Sequence, residues 1–415
     1  MSDAATSGIP LPSGMRAIPG GITAPVGFRA GSTYCGIKTD ASAHDFAMLL
    51  ADAPCAAAAT FTTSRTPAHP VLVCQEHLRA TDFHAQAVVV NSSNANCSNG
   101  PQGMADALRT TELVGQRLGI DPNLVLVSST GIIGRPLPMD KIARGVAEVE
   151  VTPTGGEAFA NAIITTDTRA KIVAIECELD GKTVRIGGTT KGAGMIYPNM
   201  ATMLCYITTD AAVAPEFLRE TLRAAVTDSF NMVCVDGDMS TNDTVLCLAS
   251  GRAGNAPAAA STRDGNTFAA ALAYVAAYLA REIARDGEGA TKLITVNVRG
   301  AASDADARRA ARAVTASPLW QTAVAGGDAN WGRILAALGA SGAELEHDKL
   351  EISVNGLRLV HNGFADDYDP AEAKRVRAET GVDVDVDLRL GQHQATAWGC
   401  DLTHGYIDEN TTYFR

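Results

Sequence analysis

The chain has 415 residues, of which 46% are hydrophobic and 19% are charged. This length predicts two or three domains, and this composition excludes an intrinsically disordered protein. The net charge of −12 excludes a basic module that binds the nucleic-acid backbone, so we expect no nucleic-acid partner.

The cysteines and the apolar segments indicate in which cellular compartment the protein is expected. Nine scattered cysteines lie mostly in apolar runs without a CxxC pair, which predicts reduced, buried thiols. The first residues, MSDAATSGIPLPSG, lack the basic and apolar regions of a secretory signal. The longest apolar stretch, 268–280, has thirteen residues, whereas a membrane span needs about twenty. We therefore expect a cytoplasmic protein with no membrane partner.

The first half of the chain is predicted to be rich in strands. The first hundred residues have the pattern of short strands separated by turns, and the last of these is an apolar strand at 88–93. Apolar residues at helical spacing predict a helix over 105–118 that ends at Gly119, followed by a buried strand at 124–129. Alternating β-branched residues at 171–188 flank Asp180-Gly181, which predicts a hairpin.

In the second half, strands and helices alternate. Strands are predicted at 203–209 and from 233, and helices at 215–228 and 267–285. From about 290 we predict a smaller α/β unit, which contains the following elements: a strand at 293–298, a helix beginning near Ser303, helices within 318–340, a hairpin at 351–360, a helix at 370–379 and a strand at 382–390. The fold class is therefore α/β or α+β, with sheets covered by helices.

Several common functional motifs are incomplete or absent in this sequence. Gly181-Lys182-Thr183 imitates the end of a phosphate-binding loop, but Glu176 stands where that loop needs glycine. No G-x-S-x-G nucleophile elbow occurs. The eight histidines show no HxH or HExxH spacing and form no Cys/His cluster, so we expect neither a metal nor a cofactor.

The segment 191–210 is the strongest candidate for chemistry. A glycine run follows Lys191, and Thr202 opens an apolar strand directly after the small residue Ala201. A threonine hydroxyl is a weak nucleophile, and one known way to activate it is chain cleavage, because the released α-amine then acts as the base. The ordinary pKa of a free α-amine is about 7.7–8.0. On the residues alone, however, a threonine at a strand start is more often an ordinary β former.

The segment 191–210, KGAGMIYPNMATMLCYITTD, resembles the signature of the ornithine acetyltransferase family. Further segments resemble that family in the same order along almost the whole chain. They are APVGFRAGSTYCGIK (24–38), FTTSRTPAHPV (61–71), NSSNAN (91–96), SSTGIIG (128–134), TTDT (165–168), DGDMSTNDT (236–244), DGEGATK (286–292), GGDANWGRILAALG (326–339) and DLTHGYIDEN (401–410).

The resemblance implies a self-processing enzyme with the stacked, helix-covered sheets of N-terminal-nucleophile proteins. The precursor would cleave itself between Ala201 and Thr202 into an α fragment, 1–201, and a β fragment, 202–415. Two fragments of each kind would associate as a heterotetramer. Thr202 would carry an acetyl group from N2-acetyl-L-ornithine to L-glutamate, as a step of arginine biosynthesis, and acetyl-CoA is a further candidate donor.

The resemblance also assigns the other site residues. The Thr130 hydroxyl and the Gly131 backbone N–H would form the oxyanion hole. Substrate contacts would come from Thr165, Lys191, Thr202, Glu288 and Asn410, with Lys191 facing a carboxylate and Glu288 facing the ornithine ammonium. Physics alone does not separate Thr165 from Thr166, and Thr165 is chosen by its place in the family motif.

The C-terminus departs from the family pattern and keeps two alternatives open. Family chains usually end in a threonine or serine that touches substrate, whereas this chain ends in Arg415. A guanidinium could bind a carboxylate instead, so a related self-cleaving acyltransferase or amidohydrolase with another acylated amine is one alternative. The other alternative is an unprocessed, non-catalytic homologue.

Overall fold

The computed structural model describes residues 8–197, 203–369, 371–372 and 379–412. The chain forms two compact units. The first unit comprises Met1–Gly192, Thr202–Thr227 and Ser240–Leu279, and the second comprises Ala193–Ala201, Asp228–Met239 and Ala280–Arg415.

The described residues contain strands β1 Arg16–Ala17, β2 Phe28–Thr33, β3 Phe46–Phe61, β4 His84–Asn91, β5 Val125–Ser129, β6 Lys171–Leu179, β7 Lys182–Lys191, β8 Leu204–Thr209, β9 Val233–Cys234, β10 Thr244–Ala249, β11 Leu293–Ala301, β12 Glu351–Val354, β13 Leu357–His361, β14 Phe364–Ala365, β15 Gly381–Asp387 and β16 His393–Cys400. The helices are α1 His69–Ala80, α2 Gly100–Leu118, α3 Met139–Glu148, α4 Gly156–Ala162, α5 Pro215–Thr227, α6 Arg263–Arg285, α7 Asp304–Thr315, α8 Pro318–Ala325, α9 Trp331–Ala340 and α10 His404–Thr412. The predicted mixed α/β class is confirmed.

The first unit is built on a mixed sheet. Its strand order is β1-β6-β7-β8-β10-β3-β4-β5, and β2 also pairs with β3. The predicted hairpin at Asp180-Gly181 is confirmed, since β6 and β7 pair from Leu179–Lys182 outward and both turn residues have positive φ. Strands β7 and β8 are antiparallel, whereas β8 and β10 are parallel.

The prediction of short strands for the first hundred residues is wrong in two respects. Strand β3 is sixteen residues long, and α1 lies where only strands and turns were expected. The helix buries Val71, Cys74 and Leu78, which follow the helical spacing of three and four residues. Helix α2 also begins at Gly100 rather than at 105, because Pro101 favours the first helical turn.

The second unit is built on a seven-stranded sheet with the order β14-β13-β12-β15-β11-β16-β9. The predicted helix near Ser303 is confirmed, because the Ser303 side chain accepts a hydrogen bond from Asp306 N at the start of α7. The hairpin at 351–360 is confirmed as β12 and β13, whereas the strand predicted from 233 is only two residues long. Residues 370 and 373–378 of the helix predicted at 370–379 lie outside the described residues.

Helix α6 runs over Arg263–Arg285 and is longer than the predicted 267–285. It is long and apolar enough to cross a membrane by length and composition, but 67% of its most apolar window is buried inside the protein. Such burial is typical of a core helix. All nine cysteines are free and buried, as their apolar surroundings predict.

Candidate active site

Lys191 is the centre of a buried polar cluster in the first unit. It ends β7, only 2% of the residue is exposed, and the register of β7 with β8 places it opposite Leu204. Its Nζ donates a hydrogen bond to Thr165 Oγ1 at 2.7 Å and to Thr130 Oγ1 at 3.4 Å. The sequence-predicted residues Thr130, Thr165 and Lys191 are therefore brought together.

Asp167 holds this cluster in place. Its Oδ1 accepts from Lys171 Nζ at 2.6 Å and from Gly192 N at 2.6 Å, and its Oδ2 lies 3.7 Å from Lys191 Nζ. Burial opposes the ionisation of Asp167, but the two lysine cations and the Gly192 N–H outweigh it and hold the pKa of the carboxyl below its usual range. Sequence reasoning assigned no role to Asp167, although it is the third residue of the segment TTDT.

The Thr130-Gly131 loop follows β5 and is tightly fixed. Thr130 is buried, and its N–H donates to Asn91 O at 3.0 Å. Gly131 has φ of +134°, and a Cβ there would lie 2.2 Å from the carbonyl carbon of Ser93. Only glycine therefore fits this backbone without displacing the loop after β4.

Two asparagines support the same loop. Ser129 Oγ donates to Asn91 Oδ1 at 2.6 Å, and Asn242 Nδ2 donates to Ser129 O at 2.9 Å and to Ala95 O at 2.7 Å. Sequence reasoning gave neither asparagine a role. The signal was their position inside the segments NSSNAN and DGDMSTNDT, but the contacts of Asn242 join residues more than a hundred positions apart.

The predicted cleavage residues Ala201 and Thr202 lie outside the described residues, and so does Arg415. The described chain resumes at Met203, which is 2% exposed. Its N–H donates to Asp243 Oδ1 at 3.0 Å, and its carbonyl accepts from Thr244 N at 3.1 Å. The residue that follows the predicted nucleophile is thus fixed directly before β8.

Glu288 and Asn410 meet in the second unit. Asn410 Nδ2 donates to Glu288 Oε2 at 2.8 Å, and Glu288 N donates to Ala193 O at 2.9 Å. A Cβ on Gly194 would lie 2.2 Å from Glu288 Oε2, so the glycine allows this carboxylate to lie against the loop that contains Gly194. Two residues that the family resemblance names separately as substrate contacts are therefore in direct contact with each other.

Asp236 anchors the same loop. It accepts from Met195 N at 2.6 Å and from Ile196 N at 2.9 Å, and the Tyr406 hydroxyl lies 3.3 Å from its Oδ2. Burial raises the pKa of Asp236 to about 6, against the lowering effect of these N–H groups. Within the described residues, no group of three or more His, Cys, Asp or Glu side chains is arranged to hold a metal ion.

The chain matches the ArgJ family over residues 29–414. It is 49% identical over 402 residues to a protein of Symbiobacterium thermophilum named arginine biosynthesis bifunctional protein ArgJ, covering 96% of this chain and 100% of that protein. It is 45% identical over 394 residues to the protein of the same name from Oceanobacillus iheyensis, covering 95% of this chain and 96% of that protein.

Two solved structures are also similar. One is arginine biosynthesis bifunctional protein argJ from Bacillus halodurans, at 40% identity and a TM-score of 0.49, covering 50% of this chain and 98% of that chain. The other is ornithine acetyltransferase from Mycobacterium tuberculosis in complex with ornithine, at 40% identity and a TM-score of 0.41, covering 44% of this chain and 98% of that chain.

Two threonine hydroxyls surround the buried Lys191, and acyl-transfer enzymes use hydroxyl groups as nucleophiles and as oxyanion donors. Within the mixed α/β fold, this cluster lies where β7 ends, next to the paired strand β8. The chain belongs to the ArgJ family, as the match over nearly its full length shows.

Proposed function

We propose that this protein transfers the acetyl group of N2-acetyl-L-ornithine to L-glutamate through an acetyl ester on Thr202. It is an arginine-biosynthesis acyltransferase of the ArgJ family. The main support for the proposed residue roles is the buried cluster of Lys191, Thr165 and Thr130. This cluster lies at the end of β7, the strand paired with β8.

The first step is self-cleavage. Thr202 Oγ attacks the carbonyl carbon of Ala201, the peptide C–N bond breaks, and the resulting ester is hydrolysed by water. The products are the carboxylate of Ala201 and the free α-amine of Thr202. That amine is the base for the later steps, because its ordinary pKa of about 7.7–8.0 suits proton transfer near neutral pH.

The acetyl transfer then proceeds in two half-reactions. Thr202 Oγ attacks the acetyl carbon of acetylornithine while its proton passes to the amine, and ornithine leaves with that proton. The α-amine of glutamate next attacks the ester carbon, and Thr202 Oγ is released as a hydroxyl. One nucleophile serves both halves, so the kinetics are ping-pong.

Each tetrahedral intermediate carries an oxyanion that needs fixed donors. The Thr130 hydroxyl and the Gly131 N–H are proposed for this task, since their loop is held by Asn91 and Asn242 and loses little freedom when the substrate binds. Lys191 is buried with Thr130 and Thr165 and is proposed to bind the substrate carboxylate.

Glu288 is proposed to bind the side-chain ammonium of ornithine. The Asn410 amide donates to Oε2 and orients the carboxylate. Among the described residues no hydrogen bond reaches Oε1, and this oxygen is proposed to face the cation. Arg415 remains a proposed partner of a substrate carboxylate, since this terminal residue replaces the usual hydroxyl of the family pattern.

The names of the curated relatives include the word bifunctional, which supports a second reaction at the same site. In it, acetyl-CoA would acetylate Thr202 in place of acetylornithine. The test is to incubate the purified protein with acetyl-CoA and glutamate alone and to measure N-acetylglutamate. We expect the wild-type protein to form N-acetylglutamate and the Thr202→Ala variant to form none. If the wild-type protein formed none, acetylornithine would be its acetyl donor and acetyl-CoA would not.

We further propose that the α and β fragments stay associated as a heterotetramer in the cytoplasm. A denaturing gel tests the processing, and light scattering of the same sample tests the assembly. Two fragments in a particle of twice the chain mass are expected. An intact chain without transferase activity would favour the non-catalytic alternative, and two fragments that do not use acetylornithine would favour another acylated amine.

A further inference from the structure

Lys38 is a half-buried lysine to which the proposed mechanism gives no role. It lies in the first unit, in the stretch that joins β2 to β3. Among the described residues its ammonium donates one hydrogen bond, to His44 O at 2.9 Å, and no carboxylate forms an ion pair with it. An ammonium group has three donors, so Lys38 keeps donors for an anion.

The backbone of Lys38 is fixed by the carboxylate of Asp45, which has no exposed surface. Asp45 Oδ1 accepts a hydrogen bond from Cys35 N at 2.6 Å. Its Oδ2 accepts from Lys38 N at 2.8 Å and also from the backbone N–H groups of Gly36 and Ile37. This carboxylate is therefore already engaged by backbone donors, and the Lys38 side chain starts from a backbone whose position is set before any substrate binds.

The stretch that contains Lys38 lies next to the loops of the candidate site. Asp45 O accepts a hydrogen bond from Ser92 N at 2.9 Å, and Ser92 Oγ donates to the last carbonyl of α4 at 2.8 Å. The neighbouring Asn91 O accepts from Thr130 N at 3.0 Å. Two consecutive residues after β4 and at its end thus contact the Lys38 stretch, the end of α4 and the Thr130 loop. All of these groups belong to the first unit.

The Lys38 ammonium also interacts electrostatically with the charges of the site. Burial lowers the pKa of Lys38 and the cation of Lys191 lowers it further, whereas the carboxylates of Asp45 and Asp167 oppose these two effects. Asp40 opposes them too, but it is exposed, so water and salt screen its charge. An anion bound beside Lys38 would favour the charged form of this lysine.

Glutamate is the substrate that brings an additional anion. Both substrates have an α-carboxylate, for which Lys191 is proposed, but only glutamate has a second carboxylate at the end of its side chain. We propose that Lys38 is a specificity-determining residue that binds this side-chain carboxylate through a charge-assisted hydrogen bond from Nζ. This inference rests on the proposed function, because it takes glutamate to be the acetyl acceptor.

The two half-reactions allow this role to be measured. A ping-pong enzyme meets its substrates in separate half-reactions, so kcat/KM for each substrate reports on its own half. Lys38→Met keeps a long unbranched side chain and removes the charge. It should lower kcat/KM for glutamate by about tenfold, since a hydrogen bond between charged groups is lost, and it should leave kcat/KM for acetylornithine near the wild-type value.

Lys141 offers a matched control. It is also partly buried, and its Nζ donates to Gly36 O, so it supports the same stretch of backbone from α3. Lys141→Met removes one cation and one contact to this stretch. It should leave the ratio of the two kcat/KM values, glutamate to acetylornithine, at the wild-type level. An equal fall of this ratio in both variants would mean that the conformation of the stretch, and not the charge of Lys38, determines the preference.

The wild-type protein separates the failure of this inference from the failure of the proposed function. A wild-type protein that does not transfer the acetyl group of acetylornithine to glutamate would overturn the proposed function itself. With an active wild type, a folded Lys38→Met protein with unchanged kcat/KM for glutamate would overturn only the role of Lys38. Equal falls of kcat/KM for both substrates would overturn it as well, because the effect would not be specific to glutamate.

Lys38→Arg decides the question if Lys38→Met does not fold. This variant keeps the positive charge and its hydrogen-bond donors, so it should retain most of the wild-type kcat/KM for glutamate. A folded Lys38→Arg protein that lost kcat/KM for glutamate and acetylornithine to the same extent would contradict the proposed role.

Discussion

At the scale of single residues, the Thr130 hydroxyl is expected to have one hydrogen-bond partner in the described structure and another in the transition state. In the described structure it accepts from Lys191 Nζ at 3.4 Å, and in the transition state it would donate to the oxyanion. Thr130→Ala removes the donor, so kcat should fall by about 10²–10³ with a small change in KM. Steady-state kinetics with acetylornithine and glutamate provides the measurement.

Thr130→Ser is the matched control, because it keeps the hydroxyl and removes only a methyl group. It should retain most of the wild-type kcat. A well-folded Thr130→Ala protein with wild-type kcat would remove this side chain from the mechanism and leave the backbone donor alone.

Glu288 should control the choice between the two substrates. A fixed carboxylate favours the ornithine cation and repels the glutamate side chain, by roughly a few kcal/mol at 4 Å in a partly shielded site. Glu288→Gln should therefore raise KM for acetylornithine more than KM for glutamate, and it should leave self-cleavage intact because cleavage needs no substrate. Equal rises in both KM values would mean that Glu288 maintains the shape of the site and does not select substrates by the charge of their side chains.

At the scale of structural elements, the loop between β5 and α3 depends on its glycine. A Cβ on Gly131 would lie 2.2 Å from Ser93 C and 2.5 Å from Asn94 N, and φ of +134° is unfavourable for alanine. Gly131→Ala should displace the loop, cost about 1–3 kcal/mol of unfolding free energy and lower kcat. Chemical denaturation and steady-state kinetics measure the two effects.

Gly134→Ala is a suitable comparison in the same loop. Gly134 also has positive φ, but nothing lies within 4 Å of a Cβ built there. This variant should share the backbone strain and keep a larger fraction of kcat. If both variants lost kcat equally, strain in the loop rather than the contact with Ser93 would explain the effect.

The elements also show where sequence patterns predict structure and where they do not. Asp180-Gly181 predicts its hairpin because turn chemistry is local, and Gly119 marks the end of α2 because its left-handed φ of 68° is a local requirement. Strand β3 is not predictable in this way. Its alanine-rich sequence favours a helix, and pairing with β2, β4 and β10 overrides that preference.

The residues of the candidate site likewise differ in whether the sequence predicts them. Thr130, Thr165 and Lys191 were found through family motifs, and they do meet. Asp167, Asn242 and Asp243 also lie within family segments, but no local pattern shows which residues they contact. The partners of Asn242 and Asp243 lie far away in the sequence, and only the folded sheet brings those partners together.

At the scale of the whole molecule, the buried Asp167 makes the stability of the protein depend on pH. The lysine cations and the Gly192 N–H keep its pKa below the usual value in the folded protein. Its contribution to stability is therefore complete above the unfolded pKa of about 3.9 and is lost as the pH falls toward the folded pKa. The free energy of unfolding of the wild type should decrease below about pH 4.

Asp167→Asn should remove this pH dependence and destabilise the protein by about 3–5 kcal/mol at neutral pH, because the buried Lys171 and Lys191 would lose the carboxylate charge that pairs with them. Urea denaturation at pH 7 and at about pH 3 measures both effects, because the contribution of Asp167 is lost only below the unfolded pKa. A variant as stable as the wild type at pH 7 would show that the two lysines find other partners.

In the proposed mechanism, Thr202 carries the acetyl group after the chain is cut before it. Wild-type protein is incubated with acetylornithine without glutamate, quenched in acid and analysed by peptide mass spectrometry. We expect a peptide that begins at Thr202 and carries one acetyl ester on that residue. The ester should disappear when glutamate is added, and it should be absent from Thr202→Ala. An active enzyme that is intact at Ala201–Thr202, or that carries the acetyl group elsewhere, would contradict this mechanism.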